Sequence, residues 1–152
     1  MAGAPLSGPA PGRVTSMRSC ALAVLAFTMG LGVADAEPRP EVAEATVAVM
    51  RQLEAFRRDD FDAAYELASA TIKEIFDRPT FETMVRRGYP EIARSVSAVV
   101  IEGDVGPDDH VYLRITIHGT NGRSVDAIYD LVRESSQWRI NGVVARPTTG
   151  TV

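Results

Sequence analysis

The sequence predicts an α+β domain, with N-terminal helices packed on one face of a bent antiparallel sheet of about four strands that closes into a cone. Three observations predict it. Apolar residues recur at three- and four-residue steps over 40–88, the period shortens to two from Ser95 onward, and short turn signals join the later segments. The chain of 152 residues is 45% hydrophobic and 24% charged, which suits one globular domain and excludes collagen-like, coiled-coil and multi-span membrane classes. Its formal charge of -4 leaves no basic footprint for nucleic acid or anionic lipid.

The first 36 residues read as an address. Arg18 precedes an uncharged run from Ser19 to Ala34, and Ala34-Asp35-Ala36 is the small-x-small pattern that a signal peptidase accepts. The run is shorter than the roughly 20 apolar residues a membrane span needs, so a cleaved secretory signal is expected rather than an anchor. Met17 begins a more typical signal by itself, which points to translation starting there; an intact precursor mass including Met1 would overturn that. The expected organisation is therefore a signal peptide over 1–36, one α+β domain over 37–146 and a flexible tail over 147–152. The expected location is periplasmic or secreted, with no stable membrane insertion after cleavage. Cys20, the one cysteine, leaves with the signal. What remains has no thiol for a disulfide, a nucleophile or Cys-bound zinc.

Pro40 with Glu41 and Glu44 makes a favourable first helical turn, and Val42, Ala45, Thr46, Val49, Leu53 and Phe56 form one apolar stripe ending near Arg58. Asp59 or Asp60 can cap a second helix burying Phe61, Ala64, Tyr65 and Ala68. Thr71 and Glu74 have capping-box spacing for a short third helix carrying Ile72, Ile75 and Phe76. Asp77-Arg78-Pro79 then breaks the chain, Thr80 caps a fourth helix over 81–87, and Gly88 suits a left-handed stop. Arg57-Arg58 and Arg86-Arg87 complement the dipoles of the helix ends on which they fall.

Ser95 to Glu102 reads as a first strand. Val111, Leu113, Ile115 and Ile117 alternate with polar neighbours in a second, and Val125, Ala127, Tyr129 and Leu131 do so in a third. Register follows from parity. A two-residue Asn121-Gly122 turn would set Ile117 against Asp126, whereas a three-residue loop, Thr120-Asn121-Gly122, pairs Ile117 with Val125 and keeps one face apolar, with Gly122 left-handed. A tight turn at Ser135-Ser136 pairs Leu131 with Ile140 and would place Gly142 opposite Tyr129, with Trp138, Ile140 and Val144 facing inward.

Catalytic groups are scarce on that inward face. His110 and His118 sit eight residues apart on one strand, about 26 Å at ~3.3 Å per residue, so they cannot share a metal. Asp126 and Asp130 fall on the outer face beside Tyr112, Arg114 and Asn141, where carboxylates flanking an arginine form a solvated ladder. The inward face carries no Asp, Glu, His, Lys, Ser or Thr, only the polar tips of Tyr129 and Trp138, to which the helical half can add Gln52, Tyr65 and Tyr89. With Phe56, these six are the candidate cavity-lining residues. They suit either a closed core with satisfied polar tips, the commoner arrangement, or an apolar ligand cavity. No catalytic residue, metal ligand or cofactor motif stands out: there is no Gly-rich phosphate loop, Ser-centred elbow or His-Glu-x-x-His.

Three ordered blocks carry a resemblance. Gln52-x-x-Ala55-Phe56-x-x-Asp59-Asp60-x-x-x-Ala64-Tyr65-x-x-Ala68-Ser69, Phe81-x-x-Met84-Val85-x-x-Gly88-Tyr89-Pro90 and Trp138-Arg139-Ile140-Asn141-Gly142-Val143 resemble domain-of-unknown-function family 4864, a group of short exported bacterial proteins. Ala70 stands where that family commonly has proline. The element order also resembles the wider nuclear-transport-factor-two-like (cystatin-like cone) folds, which include isomerases, hydratases and plain binding modules, so the fold selects no reaction. The resemblance implies an exported protein and carries over no catalytic residue. The expected function is a non-catalytic binding or interaction module, taking a small apolar ligand or a protein partner, as a monomer or a homodimer joined through Ile128, Val132 and Val143. The alternative is a small lyase, isomerase or hydrolase with Asp60, Tyr65, Tyr89 or Tyr129 at the cavity mouth.

Overall fold

A computed structural model describes residues 39–149; the predicted signal peptide and its Met17 start lie outside the described residues. Pro40 opens α1 (Pro40–Arg57), whose stripe of Ala45, Ala48, Val49, Gln52, Leu53, Ala55 and Phe56 is buried. α2 (Phe61–Glu66) is capped by Asp60, whose side chain accepts from the Ala63 amide. α3 (Ala70–Ile75), α4 (Arg78–Gly88) and α5 (Pro90–Ala93) follow, then the strands β1 (Ser95–Val105), β2 (His110–Gly119), β3 (Ser124–Glu134) and β4 (Gln137–Pro147). The strands form one antiparallel sheet in the order β1-β2-β3-β4, with the helices packed on one of its faces.

Helix starts differ from the sequence expectation in one direction, toward earlier caps. Ser69, not Thr71, caps α3, its hydroxyl accepting from the Ile72 amide. Asp77, not Thr80, caps α4 by accepting from the Thr80 amide, so Pro79 lies inside the first turn, where a missing N–H costs nothing. Gly88 is the last residue of α4 rather than a left-handed stop, and Tyr89-Pro90 turns the chain directly into α5. Ser69 is fully buried and also donates to Asn141 Oδ1 at 2.9 Å, which ties α3 to the last strand. The backbone reinforces that tie, since the Ser69 amide donates to Ile140 O and the Ile140 amide donates to Leu67 O. Ser69→Ala is accordingly expected to lower the unfolding free energy by about 1 kcal/mol, read as a lower urea midpoint at unchanged slope. An unchanged midpoint would mean that neither bond contributes.

The central hairpin has the register that parity selects. Ile117 pairs with Val125, Ile115 with Ala127, Leu113 with Tyr129 and Val111 with Leu131. The Gly119 amide donates to Arg123 O, closing a loop of Thr120-Asn121-Gly122 in which Gly122 has φ +75°. All eight paired side chains are buried beneath the helices. Ser135 and Ser136, with φ of 47° and 64°, make the tight turn that leads into β4.

The β3–β4 pairing departs from expectation at one point. Leu131 pairs with Ile140 as expected, but the register slips between Asp130 and Leu131, so Gly142 lies opposite Asp130 and Val143 opposite Tyr129. One extra residue on a strand reverses the faces of everything beyond it. Val143 and Ala145 therefore pack against the core, whereas Val144, expected inside, is exposed, and Val143 is removed from the outer apolar face. Arg114 lies opposite Ile128, between Asp126 and Asp130 on the outer face as expected, but its ion pair is with Glu102 of β1 at 3.1 Å. β1 runs on to Val105, and backbone hydrogen bonding between β4 and β3 continues to Thr148, whose amide donates to Ser124 O.

Candidate functional site

The helical faces that do not meet the sheet flush leave a space. In α3, Ile72 and Phe76 stand four residues apart; in α4, Phe81, Met84 and Val85 share one face, with Tyr89 a further turn along. These side chains, together with Gln52 and Phe56 of α1 and Tyr129, Ile140 and Val143 of the sheet, line a cavity of ≈ 250 Å³. The expectation of a closed core is thus corrected: the sheet face is dry and packed, yet the helices stop short of filling the cone. The six-residue α3 beside the cavity is held at its start by Ser69 and just past its end by the Tyr65 hydroxyl, which donates to Phe76 O at 2.7 Å.

The cavity has a buried end and a half-buried rim. Gln52, Phe56, Phe81, Val85, Ile92 and Tyr129 are buried, whereas Ile72, Phe76, Met84, Tyr89 and Val143 are partly exposed. Of its three polar side chains, Gln52 and Tyr129 stand at the buried end and Tyr89 at the rim. Tyr129 is 1% exposed, and its hydroxyl has no hydrogen-bond partner among the described residues. Gln52 Nε2 donates to Ala64 O at 3.1 Å, and because a carbonyl only accepts, this fixes the amide orientation and leaves Oε1 as the acceptor. Tyr89 Oη donates to Val143 O at 3.3 Å. Burial, and then Tyr89 nearby, push the Tyr129 phenol well above its usual range, so it remains a neutral donor at any ordinary pH. Among the described residues no Asp, Glu, His, Lys, Arg, Ser or Thr lines the cavity.

Of the six residues picked out from sequence, Gln52, Phe56, Tyr89 and Tyr129 line this cavity. Tyr65 stands behind it, its ring centroid 5.3 Å from that of Phe81. Trp138 faces away: its indole donates to Glu44 Oε2 at 3.1 Å, and Arg133 lies over its ring. Sequence reasoning missed Ile72, Phe76, Phe81, Met84 and Val85, although the three- and four-residue spacing in α3 and α4 already put them on shared faces. It also missed Val143, which only the bulge turns inward.

The acid and base candidates lie elsewhere. Asp60 is an exposed helix cap away from the cavity. On the outer face, Asp130 lies 2.7 Å from His110 Nδ1 and accepts from Asn141 Nδ2 at 2.9 Å, while Asp126 accepts from the Thr116 hydroxyl. His118 pairs with Ser124. No group of three His, Cys, Asp or Glu side chains able to hold a metal ion occurs among the described residues.

Solved structures place the fold. An NTF-2 like protein of unknown function from Silicibacter pomeroyi is 16% identical with a TM-score of 0.52, the match covering 70% of this chain and 94% of that one. An NTF2-like protein of unknown function from Shewanella baltica is 12% identical with a TM-score of 0.51, over 72% of this chain and 95% of that one. Aln2 from a Streptomyces species is 19% identical with a TM-score of 0.50, covering 72% of this chain and 93% of that one. At such identities the likeness is one of fold, an α+β NTF-2-like cone. No curated protein matches the chain. A family model matches residues 39–151, helices and sheet together, and by that match the chain belongs to the family described as Domain of unknown function (DUF4864).

Proposed function

We propose that this protein is an exported, non-catalytic binding module whose cone cavity holds one small, largely apolar molecule. The observation that carries the reading is the lining itself, a half-open cavity of ≈ 250 Å³ walled by aromatic and aliphatic side chains with a few polar atoms at its closed end. Export rests on the signal-like leader, with its charged start, uncharged run and Ala34-Asp35-Ala36 exit.

Binding is favoured over a lyase, isomerase or hydrolase by what the cavity lacks. Each of those reactions needs a group that takes or gives a proton, or a nucleophile, within reach of the bound molecule. The lining offers only phenols and an amide, and the buried phenol resists ionisation.

Thermal unfolding of the purified protein, titrated with apolar alcohols, phenols and lipids, tests the proposal. A ligand that selects the folded state stabilises it by about 1.4 kcal/mol at a tenfold excess over Kd. For a domain of this size that is a rise of a few degrees in Tm. Stabilisation by small apolar compounds is the expected result. No shift with any of them would overturn the reading.

A further inference from the structure

The binding reading leaves open which molecule the cavity takes, and its closed end answers in chemical terms. Tyr129 is 1% exposed and its hydroxyl is the one buried side-chain polar atom without a hydrogen-bond partner among the described residues. A buried hydroxyl left unpaired costs about 1–3 kcal/mol, and such atoms mark places where a partner is missing. Gln52, 4% exposed and in the same lining, spends one of its two amide hydrogens on Ala64 O, which identifies Oε1 as its acceptor. Tyr89 Oη, committed as a donor to Val143 O, has only acceptor capacity to spare. The closed end therefore offers an unpaired donor in Tyr129 beside an acceptor in Gln52, with a further acceptor in Tyr89 at the rim.

From this we infer that the cavity takes a hydroxyl-bearing apolar molecule, a phenol or alcohol of bicyclic size, inserted with its hydroxyl toward Tyr129 and Gln52 and its hydrocarbon body toward the Phe76 and Met84 rim. A hydroxyl both accepts, here from Tyr129, and donates, here to an acceptor, at a smaller desolvation cost than an amide, which brings several polar atoms into an apolar cavity. A ketone or ester would satisfy Tyr129 but face the Gln52 oxygen with nothing to give it. A carboxylate would be stripped of water with no cation among the lining residues to replace it, and would stand against that same oxygen. An amine cation would meet no anion. Size follows from volume. A dry cavity of about 150 Å³ accommodates benzene, so ≈ 250 Å³ suits about ten non-hydrogen atoms.

This inference rests on the binding reading, and a matched set of probes separates the two. Calorimetric titration with 2-naphthol, naphthalene and 2-naphthoate compares one ring system with a hydroxyl, with no polar group and with an anion. The expected result is that 2-naphthol binds about tenfold tighter than naphthalene, the usual increment for a buried neutral hydrogen bond, and that 2-naphthoate binds more weakly than 2-naphthol. Tyr129→Phe, which keeps the ring, should abolish the preference for 2-naphthol and leave naphthalene affinity within about twofold, since only the hydrogen bond is lost. Equal affinity for naphthalene and 2-naphthol in the unaltered protein would overturn the hydroxyl inference and leave the apolar cavity standing, as would tightest binding of 2-naphthoate. Failure of all three probes to bind would overturn the inference together with the reading beneath it.

Discussion

Tyr129→Phe is expected to raise the stability of the ligand-free protein by about 1–3 kcal/mol, a direction opposite to that of most core substitutions. Tyr129 projects from the middle of β3, paired with Leu113 on one side and Val143 on the other, and its ring is wholly enclosed. Phenylalanine keeps that ring and its packing. What it removes is an oxygen that has given up its water on folding and found no partner among the described residues. In the unfolded chain the hydroxyl is hydrated, so the native state alone bears the deficit and deleting it favours folding. Urea unfolding should show a higher midpoint at unchanged slope, the slope reporting that no additional surface is buried. A lower midpoint would mean that the hydroxyl is already paired in the folded protein, and would remove the unpaired donor on which ligand selection is argued. The gain in stability and the loss of 2-naphthol preference belong together. A group that is poorly satisfied in the empty protein and satisfied in the complex contributes to affinity by that difference.

How far this site could be read from the sequence depends on which physical rule governs each part. The β2–β3 hairpin was legible because one apolar face and one turn are enough to fix it: a slip of one residue would have set Ile117 against Asp126, so parity alone decided between two loops. The same rule failed in β4 because a bulge at Asn141-Gly142 leaves no mark in the alternation. Val143 and Val144 are equally apolar neighbours, and only the unequal count of residues across from Asp130 and Leu131 tells which faces the core. The helix caps shifted for a different reason. Ser69 and Thr71, or Asp77 and Thr80, are chemically interchangeable as caps, and what chose the earlier residue was tertiary, with Ser69 drawn into a backbone bridge to Ile140. The cavity was the least legible of all. Its polar residues could be named, and four of the six line it, but an unfilled volume is set by how closely α3 and α4 approach the sheet, and no local pattern encodes a distance of approach. That distance is set by contacts such as Tyr65 to Phe76 O and Ser69 to Asn141, between residues 11 and 72 positions apart.

The opposite side of the cone tests the packing claim from the tight end. Gly103 lies on the inward face of β1 opposite Leu113, where the first turns of α1 cross the strand. A Cβ built there falls 2.4 Å from Val42 Cγ1 and 3.0 Å from Leu113 Cδ2. Neither neighbour yields easily. Val42 is β-branched and in a helix, which leaves it essentially one side-chain rotamer, and Leu113 is fully enclosed. Alanine would ordinarily improve a strand position by about 0.5–1 kcal/mol through reduced chain entropy, but here the added methyl must displace α1 or bend β1, at about 1–3 kcal/mol. Gly103→Ala is therefore expected to lower the urea midpoint, with a net loss of about 1–2 kcal/mol once the entropic gain is subtracted. Val42→Ala removes the nearer of the two offending methyls and should be destabilising by itself, through lost burial. Combined, the two should cost less than the sum of their separate effects by about 1–2 kcal/mol, since each relieves what the other creates or leaves empty. Strict additivity would mean that α1 does not press on β1 at this point.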